Sequence, residues 1–301
     1  MPELPEVETV ARGVDARVRG ERIEHVWLGE KPEPLKSPAA LIEKTLTGKR
    51  IALVHRVGKT IVVDLETDET VVHTKTTNLH AKTTQKDAKI LPRNAKKPIK
   101  PQAQWLIHLG MTGRLLVCDS ATPTPPHTHA IVRLSSGREL RFVDARRFGR
   151  LSVVTEEGGF AGEGREPLTI SPEDFVALFR GRHTPIKAAL LNQTLLHGVG
   201  NIYADESLFR AGIRPRRQAA RISHEELRRL HLALQAVLRS AIKLGGSSVS
   251  DYVDADGVRG FFQLEHRVYM RTGQPCLVCG TAIRRVVVGG RGTHYCPKCQ
   301  R

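Results

Sequence analysis

The chain has 301 residues, 40% hydrophobic and 26% charged, and its 47 Lys and Arg against 31 Asp and Glu give a formal charge of +16 and an isoelectric point near 10.1. That length accommodates two domains with ordinary cores, and no apolar run approaches a membrane span. The acidic first ten residues do not resemble a signal peptide, so a soluble cytoplasmic protein is expected, nucleoid-associated if bacterial, whose charge suits a polyanion such as nucleic acid.

The opening MPELPEVETV predicts a helix. Pro5, Glu6 and Glu8 suit a first turn, and Val7, Val10, Ala11, Val14 and Val18 share one face before Gly20 ends the run. Pro2 and Glu3 are not needed for that helix. Strand-like stretches follow at 22–28, 49–57, 60–65, 69–73, 105–111, 114–118, 129–137 and 139–154, with Ser135-Ser136-Gly137 as a hairpin turn. Short strands at this density predict an antiparallel sandwich or barrel. Residues 75–104 interrupt them: seven Lys and Arg93 against Asp87 give +7 with little apolar periodicity, which reads as a flexible basic insertion.

From Ser171 the period becomes helical. Ser171 with Pro172 and Gly181, Thr184 with Pro185 and Gly198, and Asn201 with Gly212 each supply a start and a stop. A fourth helix opens with a Ser223–Glu226 capping box and closes at Gly245-Gly246. The expected class is therefore α+β, with a β-rich domain at 1–156, a Gly-rich linker at 157–170, a helical domain at 171–267 and a small module at 268–301.

Four of the five cysteines lie in the last 26 residues, as Cys276-x-x-Cys279, sixteen residues, then Cys296-x-x-Cys299. This is zinc-ribbon spacing, and four thiolates leave no open coordination position, so one structural zinc ion is expected. Cys118 reads as an ordinary strand residue, and His294 as a neighbour of the site rather than a ligand. Glycines flank Arg291 at the tip of the intervening hairpin, where a phosphate contact is expected on so basic a chain.

MPELPEVET, RVGK, HLGMTGRL, DARRFG, GVGNIYADESLF, DADGVRGFFQ and the ribbon occur in the order seen in bacterial formamidopyrimidine-DNA glycosylase, which the chain resembles from end to end apart from the basic insertion. The resemblance implies an N-terminal β-sandwich with flanking helices, a helix-two-turns-helix domain and a zinc finger, with double-stranded DNA bound between them by a monomer. It further implies excision of oxidised purines, chiefly 8-oxoguanine opposite cytosine and formamidopyrimidines, followed by strand cleavage through β,δ-elimination.

On this resemblance, removal of Met1 exposes Pro2 as an amine nucleophile that forms a Schiff base. Backbone amines titrate near about 7.7–8.0, against about 10.4 for Lys, so a usable fraction is neutral at pH 7. Glu3 is the expected proton carrier. Glu6 is either a supporting residue of that site or a first-turn helix charge. Lys59 grips the phosphate beside the lesion and donates a proton in β-elimination, while Arg291 assists δ-elimination. Met111, Arg146 and Phe148 fill the space left by the extruded nucleotide, although Ala145 stands where the family usually has Pro. His108, His127, Lys187 and Asn201 match DNA-contacting positions, with His129 as the alternative to His127, and His183 stands near a usually basic one. Residues 247–260 match the loop that closes over the extruded base. Two rivals remain: an endonuclease VIII-like enzyme for oxidised pyrimidines, disfavoured by Leu4 and the Met, Arg and Phe set, and a non-catalytic zinc-ribbon DNA-binding protein.

Overall fold

A computed structural model describes residues 1–67, 101–155, 159–249 and 252–301. The strand expected at 69–73 and residues 75–100 of the basic insertion lie outside them. The insertion ends earlier than expected, because Ala103 and Gln104 already pair with Leu65 and Asp64 in a sheet.

The first helix, α1 (Leu4–Val18), buries Val7, Val10, Ala11, Val14 and Val18, the face set by their spacing. Strand β1 (Ile23–Leu28) follows, then a helix α2 (Ala39–Leu46) not anticipated from the sequence. Strands β2 (Lys49–Val57), β3 (Thr60–Thr67), β4 (Ala103–His108), β5 (Arg114–Asp119), β6 (Thr128–Leu134), β7 (Arg138–Val143) and β8 (Arg150–Val154) complete two four-stranded antiparallel sheets, ordered β1-β6-β7-β5 and β2-β3-β4-β8. Ile23, Val26, Ile51, Ile61, Val63, Trp105, Ile107, Leu140 and Phe142 interleave between the sheets and α1 in one apolar core. Gly137, at φ 82°, closes the expected β6–β7 hairpin, a conformation that suits glycine.

The helical half contains α3 (Pro172–Ala177), α4 (Ile186–Leu191), α5 (Asn201–Ala211) and α6 (His224–Lys243). Ser171 caps α3 by accepting the Asp174 N–H, and the Ser223–Glu226 capping box is present at the start of α6. Two starts differ from expectation: Pro185 rather than Thr184 precedes α4, and Gly200 rather than Asn201 caps α5. Leu4 packs with this second core, and its N–H donates to Gly198 O at 3.0 Å, so the chain's beginning is held by the helical half. A third, small cluster of Phe209, Val268, Cys276, Ile283 and Cys296 underlies the hairpin of β9 (Arg284–Val288) and β10 (Arg291–Tyr295). Among the described residues no helix is long and apolar enough to cross a membrane.

Candidate active site

Between the two halves runs a cleft of about 1090 Å³, lined among others by Met1, Glu3, Lys59, His108, Met111, Asn201, Tyr269 and Arg291. Glu3 lies at its base. The N–H groups of Ile202 and Tyr203, in the first turn of α5, point at the Glu3 carboxyl, the closer contact being 3.1 Å. Those donors favour the carboxylate, yet burial dominates and raises its pKa to about 7, with nearby Lys59 opposing and Glu6 adding to the rise. The carboxyl therefore holds a proton for part of the time at neutral pH.

The same approach explains GVGN. A Cβ on Gly200 would stand 2.1 Å from the Glu3 carboxyl carbon, so any other residue there would displace that buried carboxyl from its contacts with α5. Pro2 is buried beneath Met1, which is about half exposed and lines the cleft, and the Met1–Pro2 peptide bond occupies the Pro2 nitrogen.

Glu6 is more than a first-turn charge. Its side chain accepts the Glu3 N–H at 2.8 Å, the Ser247 N–H at 2.7 Å and the Tyr203 hydroxyl, so one buried carboxylate joins α1, α5 and the start of the 247–260 loop. Farther along that loop, Tyr252 and Ala255 enter the sandwich core and Ala255 O accepts from Val117 N.

Lys59 follows Gly58 at the β2–β3 turn, and burial lowers its pKa while Glu3 opposes and Arg291 reinforces that shift. Arg291 opens β10 after the positive-φ pair Gly289-Gly290, is exposed, and reaches the cleft. His108 lines the cleft wall with its Nδ1 accepting Gly110 N–H. Met111 and Phe148 are 40% and 51% exposed, and the Arg146 guanidinium lies 4.8 Å from the Phe148 ring centre. Asp144, wholly buried, ties their loops together by accepting from Thr112 Oγ1, Arg146 N and Gly149 N. Ala145 is exposed, and its neighbour's N–H already has Asp144 as partner, so the missing proline leaves the turn intact.

His127 and His129 separate clearly. His127 is exposed ahead of β6 at φ 65°, whereas the buried His129 ring is bonded through Nε2 to Asp144 O. His183 is exposed at the end of the α3–α4 connection. Asn201 lines the cleft and donates from Nδ2 to Gly292 O at 2.9 Å.

Lys187, an expected DNA contact, lies away from the surface: its ammonium is fully buried, 2.6 Å from Asp205 Oδ1, and donates to Gly292 O and Thr293 Oγ1. Asp205 in turn accepts the His294 N–H at 2.8 Å. The pair thus fastens the hairpin that carries Arg291 to α4 and α5. Asp205 and Asp144 were not singled out from the sequence, since an acidic residue inside a helix or turn carries no local signal of its partners.

The sulfurs of Cys276, Cys279, Cys296 and Cys299 all lie within 4.8 Å of one another. A tetrahedral zinc–thiolate site, with bonds of about 2.3 Å, needs sulfurs about 3.8 Å apart, and the Cys279–Cys296 and Cys276–Cys299 sulfurs are 3.5 and 3.9 Å apart. The donor set fits zinc.

A sandwich, a helical domain and a four-cysteine hairpin thus surround a cleft with a buried carboxyl at its base. The sequence matches the formamidopyrimidine-DNA glycosylase N-terminal domain over residues 1–151, the formamidopyrimidine-DNA glycosylase H2TH domain over 164–253, and the zinc finger found in FPG and IleRS over 273–301. It is 43% identical over 309 residues to the formamidopyrimidine-DNA glycosylase of Solibacter usitatus and 40% over 312 residues to that of Gluconobacter oxydans, each alignment covering all of both chains. Among solved structures, MutM (Fpg) from Thermus thermophilus superposes with a TM-score of 0.78 at 38% identity, covering 99% of this chain and 98% of that one. The Lactococcus lactis Fpg in complex with abasic-site DNA gives 0.81 at 30% identity, with 99% of each chain covered. The chain belongs to the formamidopyrimidine-DNA glycosylase family and is a base excision repair enzyme.

Proposed function

We propose that the protein excises oxidised purines, 8-oxoguanine opposite cytosine and formamidopyrimidines, and then cleaves the strand by β,δ-elimination, acting as a monomer on double-stranded DNA. The observation that carries this reading is the Glu3 carboxyl, buried at the base of a basic cleft, held by the α5 N-terminus and titrating near neutrality beside Lys59 and Pro2.

Met1 removal frees the Pro2 amine. Its lone pair forms the bond to the sugar C1′ as the C1′–N bond to the damaged base breaks and the base leaves with a proton. Protonated Glu3 donates to the ring oxygen as the sugar opens, which yields an iminium between Pro2 and C1′. That cation accepts the electrons when a C2′ proton is lost and the 3′ phosphate departs; a second elimination expels the 5′ phosphate. Lys59 and Arg291 hold those phosphates, their positive charge favouring the leaving anions. Met111, Arg146 and Phe148 occupy the stack left open by the extruded nucleotide, while His108, His127 and Asn201 contact the backbone. One zinc ion held by the four cysteines is structural, supplying folding energy to the hairpin that presents Arg291.

Borohydride reduction tests the reading. An 8-oxoguanine:cytosine duplex is expected to become covalently attached to Met1-processed protein, not to Pro2→Gly, and poorly to Glu3→Gln. No adduct with the processed protein would sink the glycosylase–lyase mechanism. Faster excision of thymine glycol than of 8-oxoguanine would move the substrate assignment to oxidised pyrimidines.

A further inference from the structure

One cation in the cleft wall is unused by the mechanism above. Arg150 opens β8 at the cleft edge, is exposed, and lines the cleft. Its guanidinium has no hydrogen-bond or carboxylate partner among the described residues, including Glu163 on the same wall. Several other arginines of the same half are committed to carboxylates: Arg141 to Glu139, Arg147 to Glu33, Arg56 to Glu8 and Glu166.

Sheet register gives its position. Thr60, directly after Lys59, pairs with His108, and His108 pairs with Arg150, so the three residues form one row across β3, β4 and β8. Neighbouring strands are about 4.8 Å apart, which sets Arg150 roughly 10 Å from the backbone next to Lys59. The residue between them brings a donor without charge. His108 accepts the Gly110 N–H on Nδ1, which leaves the ring proton on Nε2, and burial, Arg150 and Lys59 all depress its pKa.

We propose that Arg150 binds a DNA phosphate distinct from the one at Lys59, so that the β3-β4-β8 edge forms a track of charge, neutral donor and charge along one DNA strand. The planar, permanently charged guanidinium suits bidentate phosphate contact. The proposal rests on the DNA-repair reading of the cleft and adds to it a residue absent from its expected contacts.

Salt dependence tests it, because each phosphate neutralised contributes about 0.9 to the slope of log affinity against log salt. Met1-processed protein and its Arg150→Gln, Arg150→Lys and His108→Gln variants are titrated with a duplex carrying a reduced abasic-site analogue. Arg150→Gln is expected to lower the slope by about 0.9, so that between about 50 and 200 mM salt its affinity falls about 3.5-fold less than that of the parent. Arg150→Lys keeps the slope, and His108→Gln weakens binding without changing it. A Lys59→Gln, Arg150→Gln double variant loses about 1.8, as two separate phosphates require. An unchanged slope in Arg150→Gln overturns the proposal, and a double-variant loss near 0.9 overturns the separate phosphate. Failure of the parent protein to bind the duplex would instead count against the DNA-repair reading itself.

Discussion

The Lys187 ammonium lies 2.6 Å from Asp205 Oδ1, and neither side chain has any exposure to solvent. Its other two donors go to Gly292 O at 3.1 Å and Thr293 Oγ1 at 2.9 Å, immediately beyond Arg291. An isolated charge at such a site is costly, so losing one partner of a buried pair costs about 3–5 kcal/mol. Lys187→Met and Asp205→Asn are each expected to lower the melting temperature and to reduce the share of δ-elimination product, because the hairpin bearing Arg291 loses its tether. Combining Lys187→Met with Asp205→Leu removes both charges and should recover part of the stability. A lower salt slope with unchanged melting in Lys187→Met would return Lys187 to the role of a surface DNA contact.

The Glu3 titration has consequences of definite sign. Burial raises its pKa from 4.5 to about 7, so between those values the folded protein binds a proton that the unfolded chain has released. Stability contributed by neutral Glu3 is present at low pH and is lost as pH rises through that window, a total of about 3 kcal/mol. Glu3→Gln removes the ionisation, and its melting temperature should exceed the parent's by more at pH 8 than at pH 5. A pH-independent difference would contradict the shifted titration. Activity follows the same direction: a step needing protonated Glu3 slows as pH rises above about 7.

How much of this was legible beforehand depended on the range of the interaction. The buried face of α1, the Ser171 and Ser223 caps, the Gly137 hairpin and the cysteine spacing are set by residues within a few positions of one another, and local pattern identified each. The row that places Arg150 beside His108 and Thr60, the bond from Thr112 to Asp144 and the pairing of Lys187 with Asp205 each join residues more than a dozen positions apart. The cap of α5 is instructive. Asn201 is the better capping residue in isolation, but the cap position lies against Glu3, almost two hundred residues earlier, and only Gly200 leaves room for that carboxyl. Lys187 likewise matches a DNA-contacting position of the family, and nothing near it in the chain shows that its ammonium is paired with Asp205 on the adjacent helix.

Gly200 gives a direct test of that contact. Its Cβ position is 2.1 Å from the Glu3 carboxyl carbon and 2.4 Å from Oε1, far inside any tolerated contact. Gly200→Ala must push Glu3 or α5 aside by about an ångström, and displacement on that scale costs on the order of 100-fold in rate. The expected result is a folded protein, by circular dichroism, with strongly reduced single-turnover excision. Full activity in that variant would mean that Glu3 does not need the α5 N-terminus to act.

The ribbon should depend on its metal more than any other part of the chain. Its cluster contains only Phe209, Val268, Cys276, Ile283 and Cys296, with Cys279 and Cys299 against it, too little apolar material to order a hairpin alone. Zinc binding to such modules contributes about 10–16 kcal/mol, and that energy is folding energy. Metal analysis of purified protein should give one zinc per chain. A strong chelator is expected to strip it, lower the melting temperature and abolish binding of an abasic-analogue duplex, because Arg291 and the Gly292 and Thr293 contacts to Lys187 come from the same strand. Adding zinc back should restore both. Cys296→Ala should behave like the chelated protein, whereas Cys118→Ala should not, since Cys118 lies in β5, outside the four-cysteine cluster. Retention of duplex binding after verified zinc loss would show that the hairpin is held by its protein contacts alone.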